Sequence, residues 1–385
     1  MIFLHLSDLH LGKNVNEISM IEDQKFILEQ IVRIAIDKKA DAVLIAGDIY
    51  DRSVPSEESV SLLDWFLNAL IQAGKKIYMI SGNHDSDERL QYGSELFRSN
   101  GLFIKGIYDG NAGCETFIDT YGEVKIWLLP YVKASSVAHY HPEMKCDTYD
   151  AAVRSAVSLC DVNPEKRNII LAHQFVTSCG KDPEQSGSET FDSLQVGTIE
   201  KANADVFDRF DYAALGHIHR PQKVGRETVR YAGSPLKYSR SEINQTKSIP
   251  VVAMEEKGQV HIEYAELKPK HEMRSIKGKL QEVLNSANIL YPDDYVFVTL
   301  TDEQIAADAI DRIRHFYPNV MHLEYQNSHT EAISQYDIHF QETIISFRDL
   351  INDFSRRVNG HELNEEQIKI LKEIAAKEGI EDETH

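Results

Sequence analysis

The chain has 385 residues, of which 42% are hydrophobic and 26% charged, a globular composition with room for roughly two to three domains. Its four cysteines, Cys114, Cys146, Cys160 and Cys179, form no C-x-x-C pair, so neither a disulfide scaffold nor a zinc ribbon organises it. With 41 basic against 61 acidic residues the net charge is −20, which repels nucleic acid at long range; any grip on it needs divalent ions, a local basic patch or a basic partner.

The opening MIFLHLSDLHLG reads as a strand and has no basic start, so it is no signal peptide, and no apolar run approaches the length of a membrane helix. The expectation is a soluble, cytoplasmic protein. An amphipathic helix is predicted from Ile21 to Lys38, with Ile27, Ile31, Ile34 and Ala35 on one side, followed by the strand DAVLIAGD. A second helix from Ser56 to Ala73 carries the stripe Val60, Leu63, Phe66, Leu67 and Leu70, and the strand KIYMISG follows. Strands this apolar suit a sheet covered on both faces, and their alternation with helices predicts an α/β core. From Gly101 to Tyr131 strands dominate, EVKIWLLPY being the strongest. A helix over 149–159 leads to the strands NIILAHQF, YAALGHIH and VRYAGSP, then to a hairpin turning at Lys257 and Gly258. The polar stretch 177–196 predicts a loop.

Composition breaks near 266–275. Beyond it the pattern predicts a helix over 276–287, the strand YVFVTL, a helix near 303–315 and a strand over 320–325. From 342 two helices are expected around Gly360, the first with Phe347, Leu350, Ile351 and Phe354 on one face. The organisation read from this is a core over 1–265, a small α/β capping domain over 270–340 and a helical tail over 342–385.

The chemistry gathers at strand ends. Asp8 and His10 follow the first strand, Asp48 the second, and Asn83 and His84 the third; His173 ends NIILAH, and His217 and His219 follow YAALG. Active sites of open α/β sheets lie at the carboxyl ends of strands, so these groups are expected in one cleft. Residues two apart in an extended segment point the same way, which pairs Asp8 with His10 and His217 with His219. A donor set of carboxylate, imidazole and amide without sulfur suits manganese, iron or zinc. Seven candidate ligands exceed one tetrahedral site and fit two ions roughly 3.5–4 Å apart that share Asp48, an arrangement that activates water and offsets charge on a phosphoryl group. His84 points away from the metals if Asn83 faces them, so it is assigned to the leaving-group side, with Asp85 fixing its tautomer. His5, of opposite parity to Asp8, reads as structural, and His139 and His141 as members of a solvent-facing loop.

Five motifs, DLHLG (8–12), GD (47–48), GNHD (82–85), AH (172–173) and GHIH (216–219), occur in the order that resembles the calcineurin-like metallophosphoesterases, over about residues 1–260. HLSDLHLGK, GDIYDRSVPSEESV and YAGSPLKYSRSE are similar to a bacterial branch whose members are nuclease subunits related to the eukaryotic double-strand-break repair nuclease. The resemblance implies a layered α/β/β/α sandwich with a capping domain and tail. It implies Asp8, His10, Asp48, Asn83, His173, His217 and His219 as ligands of two ions, most naturally Mn²⁺, and His84 as the transition-state histidine. It also implies 3′ to 5′ degradation of duplex ends and cutting of hairpins and single strands. The partner implied is an SbcC-like coiled-coil ATPase in a heterotetramer of two nuclease and two ATPase subunits. Archaeal and eukaryotic relatives carry histidine where this chain has Asp51.

Arg89, Lys237 and Arg240 are the leading candidates for DNA contact, with Arg98, Lys181 and Arg220 behind them. In relatives the helix over 56–73 packs across a two-fold axis, which makes Trp65 and Phe66 candidate anchors of a homodimer. The tail face, flanked by Arg356 and Arg357, is the expected dock for the ATPase. The alternative activity is a phosphomonoesterase or cyclic-nucleotide phosphodiesterase with the same two metals.

Overall fold

Strand parity sorts the apolar side chains into layers. In the computed structural model, which describes residues 1–188, 200–285, 289–328 and Gln367, the strand Ile2–Leu6 sends Leu4 and Leu6 to one side and Phe3 to the other. Leu4 and Leu6 join Ile27 and Ile31 of helix Ile21–Asp37 and Leu63, Phe66 and Leu70 of helix Glu57–Gln72. Phe3 joins Leu44, Tyr78, Ile126, Leu171 and Tyr212, drawn from two different sheets. On the far side Ile170, Ala172, Ala213 and Leu215 pack with Val153, Ala156 and Val157 of helix Tyr149–Ser158. The result is helix, sheet, sheet, helix, with both sheets covered on both faces, as their apolar runs require.

The first sheet runs, edge to edge, Val260–Glu266, Ser248–Met254, Ile2–Leu6, Ala42–Ala46, Lys76–Ile80 and Leu102–Lys105, the last four parallel. The second runs Gln222–Val224, Arg226–Tyr231, Tyr212–Gly216, Arg167–His173, Gly122–Leu129 and Gly113–Asp119, with a parallel centre. Helix Glu57–Gln72 starts where the Ser56 hydroxyl accepts from Ser59 N, with Glu57 and Glu58 in its first turn.

The capping piece is a parallel sheet of Met273–Gly278, Tyr295–Leu300 and Val320–Tyr325 with helix Ala309–Phe316 as crossover. The helix expected over 276–287 is corrected here. Residues through Gly278 are a strand in register with Tyr295–Leu300, and among the described residues of that range only Leu280–Val283 is helical. The open edge of YVFVTL offers MRSIKG a ladder of backbone partners, and this outweighs its local helical spacing. Met273, Tyr295, Phe297 and Met321 bury into the cluster under helix Ile21–Asp37, so the cap sits on the core through apolar contact. Buried Asp23 adds a polar clasp, accepting from His271 N, His271 Nδ1 and the Tyr295 hydroxyl at 3.0, 2.9 and 2.6 Å.

His5 is buried between the sheets against the Tyr212 hydroxyl and Leu215 O, as its parity predicts. His139 lies in helix Ala134–Tyr140, not in a loop, and His141 caps it with Nε2 on Gly110 O. Phe66 is fully buried in its own core, which removes it as an interface anchor; Val60 and Trp65 are the exposed large apolar side chains of that helix. The tail from 342 on, including Phe347, Leu350, Ile351, Phe354, Arg356 and Arg357, lies outside the described residues, Gln367 excepted.

Candidate metal centre

The parallel strands of both sheets deliver their carboxyl ends to one place. Asp8 N donates to Gly47 O (3.1 Å) and His10 N to Asp48 O (3.0 Å), which extends the pairing of the first two strands into the loops that bear the ligand candidates. The second sheet meets them where His217 N donates to Asp8 Oδ1 at 3.0 Å. Asp8, His10, Asp48 and His217 all have φ between 45° and 106°. Each such non-glycine residue costs about 1–3 kcal/mol, and strain of this kind persists where surrounding structure over-determines it.

Two glycines let the site close, Gly216 between the two sheets and Gly82 between adjacent loops of the first. A Cβ on Gly216 would lie 1.9 Å from Ala46 O, and one on Gly82 would lie 2.1 Å from Asp48 Oδ1. Gly216→Ala must therefore push the two sheets apart at the site, because the obstruction is a backbone carbonyl. A loss near the upper end of the usual overpacking range, about 3 kcal/mol, is expected and is read as a fall in Tm. An unchanged Tm would show that this approach of the sheets is not needed.

Among the described residues three overlapping triads hold potential ligand atoms within 4.8 Å of one another: Asp8, His10 and His219; His10, Asp48 and His84; and Asp8, Asp48 and His173. Asp48 is central. Its Oδ2 lies 3.5 Å from His10 Nε2 and 3.4 Å from His173 Nε2. At one pole His10 Nε2 and His219 Nε2 are 3.0 Å apart, with Asp8 Oδ1 4.0 Å from the latter. At the other, Asn83 Oδ1 lies 3.1 Å from His173 Nε2 and 3.0 Å from His217 Nδ1. All seven expected ligands are thus brought together. Asp8, His10, Asp48, His173 and His219 are each at most 2% exposed.

The electrostatics suit cations. Burial pushes Asp8 up to about 6. Burial opposes ionisation of Asp48 too, but His173, His10 and His84 outweigh it and hold its carboxyl well below the usual range. Burial, then the neighbouring His173, drives His217 down to about 3; burial and His10 drive His219 well below the ordinary histidine range. His173 goes the other way, to about 9, because Asp48 outweighs its burial. His217 and His219 are thereby held neutral, the protonation state that metal ligation requires, while His173 would release a proton as an ion binds. His173 Nδ1 donates to Ala46 O at 2.8 Å, which leaves Nε2, facing Asp48 and Asn83, as the nitrogen that would ligate an ion. Oxygen and nitrogen donors in two poles around a shared carboxylate fit a pair of divalent ions.

His84 stands beside this centre, its N donating to Asp48 Oδ1 (3.0 Å) and its ring 4.9 Å from that of His10. The expectation that Asp85 fixes the His84 tautomer is corrected. The partner of His84 Nδ1 is Asp51 O at 3.1 Å. Buried Asp85 instead accepts Gly82 N, Tyr50 N and Ile49 N at 2.9, 2.9 and 3.1 Å, which ties the loops after the second and third strands together. The DNA-contact expectations for Lys237 and Arg240 are also corrected. Lys237 is buried, donating to Ile243 O (2.8 Å) and Glu272 Oε1 (2.6 Å). Arg240 binds Glu324 Oε1 (2.7 Å) and Thr299 Oγ1 (3.0 Å). Both fasten the cap. Arg98 pairs with Glu115 and Arg220 with Glu184, while Arg89 and Lys181 are exposed.

Three residues near the centre, Asp51, Ser188 and Glu242, have no role assigned from the sequence. Asp51 Oδ1 lies 2.7 Å from Lys13 Nζ and 3.5 Å from His10 Nδ1. Ser188 and Glu242 lie behind His219; Glu242 closes the YAGSPLKYSRSE segment, but nothing in that segment or its spacing shows what its carboxylate supports.

Residues 1–221 match the calcineurin-like phosphoesterase family, and residues 269–358 match the type 5 capsule protein repressor C-terminal domain. The chain is 31% identical over 382 residues to the SbcD subunit of the SbcCD nuclease from Staphylococcus epidermidis, covering 97% of this chain and 98% of that protein. Among solved structures, a dimetal phosphatase from Danio rerio is similar at 11% identity and a TM-score of 0.38, covering 69% of this chain and 96% of its own. A Thermus thermophilus protein is similar at 12% identity and a TM-score of 0.37, covering 68% and 98%. With a family match over more than half its length and a relative aligned almost end to end, the chain belongs to the calcineurin-like phosphoesterase family, in the branch of SbcD nuclease subunits.

Proposed function

We propose that this protein is the metal-dependent DNA nuclease subunit of a double-strand-break processing complex. The observation that carries the reading is the two-pole donor set around Asp48 in a chain that aligns throughout with a nuclease subunit. Asp8, His10, Asp48 and His219 would hold one ion, and Asp48, Asn83, His173 and His217 the other, with Mn²⁺ the metal. Bound there, the pair supplies an activated water and offsets charge on the phosphoryl oxygens. Ala46 O and the strained loops hold the donors in place, and His84, oriented by Asp51 O, meets the scissile phosphate on the leaving-group side. The substrates proposed are duplex ends, degraded 3′ to 5′, and hairpins or single strands, cut internally. The partner is an SbcC-like coiled-coil ATPase, two copies of each forming the complex, which supplies the grip on DNA that a charge of −20 withholds. No helix among the described residues is long and apolar enough to cross a membrane, and the proposed location is the cytoplasm, at the nucleoid. Arg89, exposed beside the GNHD loop, remains a DNA-contact candidate.

The test is cleavage of end-labelled duplex and hairpin DNA in Mn²⁺, with and without the ATPase. Metal-dependent cutting of hairpins alone, and ATP-stimulated shortening of duplex ends with the ATPase, are expected. Hydrolysis confined to phosphomonoesters or cyclic nucleotides would instead select the alternative activity.

A homodimer is part of the proposal. Val60 and Trp65 on helix Glu57–Gln72, and Tyr92 and Leu96 around the short helix Ser94–Arg98, are large apolar side chains left exposed. Trp65→Glu with Leu96→Glu is expected to give a folded monomer by light scattering. A dimer that survives both charges rules out this face.

A further inference from the structure

Residues 237–242 carry supports of the metal centre between anchors of the cap. Lys237 and Arg240 reach the cap at Glu272, Glu324 and Thr299. Between them Tyr238 turns inward. Its hydroxyl donates to Leu9 O at 2.6 Å and accepts from Gln24 Nε2 at 3.1 Å, while Gln24 Nε2 also meets His10 O at 2.7 Å. Two residues past Arg240, Glu242 is fully buried, its Oε2 2.5 Å from Lys247 Nζ.

The hydrogen bonds behind His219 have one consistent direction. The ionised Glu242 side chain, paired with Lys247, only accepts, so the Ser188 hydroxyl donates to its Oε1 at 2.5 Å. The Ser188 oxygen then accepts from His219, whose Nδ1 is 2.6 Å away. His219 therefore carries its proton on Nδ1 and presents the Nε2 lone pair to His10 and Asp8. Lys247 closes the ring, donating to His219 O at 3.0 Å and to Ser234 Oγ at 2.9 Å. Carboxylate supports of this kind fix the ring and tautomer of metal-binding histidines.

We propose that Glu242 is a positioning residue for His219, acting through Ser188, and that the 237–242 segment links the seating of the cap to metal affinity at the Asp8, His10 and His219 pole. The inference rests on the reading of this pole as a metal site. Linkage is reciprocal: if a seated cap favours the ion, the bound ion favours the seated cap.

The experiment is Mn²⁺ titration of the full-length protein by calorimetry and by electron paramagnetic resonance. The unmodified protein is expected to take two ions; if it takes none, the functional reading itself fails. Ser188→Ala, a mild change that should not unfold the chain, is expected to weaken one ion about 10–100-fold and leave the other unchanged. In Glu242→Gln the new amide can donate to Ser188, whose hydroxyl then donates to His219. Nitrogen-15 shifts should report the proton moved from Nδ1 to Nε2. The cap arm uses Arg240→Ala and Glu324→Ala, which touch no metal ligand; both are expected to weaken the same ion. Saturating Mn²⁺ should in turn slow amide exchange over 266–272 in the unmodified protein. Two ions of unchanged affinity in Ser188→Ala, with an unaltered His219 tautomer in Glu242→Gln, overturn the positioning role. Unchanged affinity in both cap variants overturns the linkage.

Discussion

Asp48→Asn is expected to lose both Mn²⁺ ions and to lower DNA cleavage by at least about 10³-fold, since the ions contribute several kcal/mol to charge stabilisation and each 1.36 kcal/mol is tenfold in rate. Position is the reason. Asp48 Oδ2 faces His10 Nε2 and His173 Nε2 at nearly equal distances, 3.5 and 3.4 Å, from opposite poles of the centre. It is also the carboxylate whose ionisation the surrounding histidines favour most plainly, whereas burial pushes Asp8 up. An amide of the same shape keeps the loop packing and removes the shared negative charge. Thermal denaturation gives a readout independent of turnover. In Mn²⁺ at 100 times Kd, each ion that binds only the folded state adds about 2.7 kcal/mol. That gain should appear in the unmodified protein and vanish in the variant, with far-UV circular dichroism unchanged. Retention of two ions by Asp48→Asn would show that Asp48 does not bridge them.

What was legible in the sequence follows from which constraints are local. Apolar runs that end in Asp, Asn or His announce parallel strands and a site at their carboxyl ends, and each expected ligand arrived there because strand direction alone places it. His5 was legible for the same reason: parity points it between the sheets. Charges were not legible, because a sequence shows a charge but not its partner. Lys237 and Arg240 read as a free basic patch. Their carboxylates lie 35 and 84 residues away, in a domain that docks only through the tertiary fold. Asp85 read as a partner of its neighbour His84. Three backbone N–H groups converge on its carboxylate instead, and unsatisfied buried amides compete strongly for an acceptor. The strand Met273–Gly278 was missed because its partner strand, not its own composition, decides its conformation. The role of Ser188 and Glu242 was not legible, although Glu242 ends the YAGSPLKYSRSE segment, because a support behind a ligand needs no particular spacing, only a buried path to the ring.

His84→Gln is expected to keep both ions and DNA affinity while the rate falls by about 10²–10⁴-fold. Asp51 O accepts from Nδ1–H, so Nε2 is the nitrogen that would meet the substrate. Burial holds His84 below the ordinary histidine range, opposed by Asp48. A phosphodiester anion brought against the ring adds a second negative charge that favours the protonated form, so the acid is made as substrate binds. Glutamine can still donate a hydrogen bond but has no proton to transfer. Comparing substrates therefore divides the two roles. With bis-p-nitrophenyl phosphate, whose leaving group departs without protonation, the deficit of His84→Gln should shrink well below its value on DNA, while His84→Ala stays impaired on both. A deficit of His84→Gln that is the same on both substrates, and smaller than that of His84→Ala, would make His84 a donor to the phosphate and not an acid. Loss of an ion in either variant would place His84 among the ligands with His10 and Asp48, the triad that its position beside them also allows.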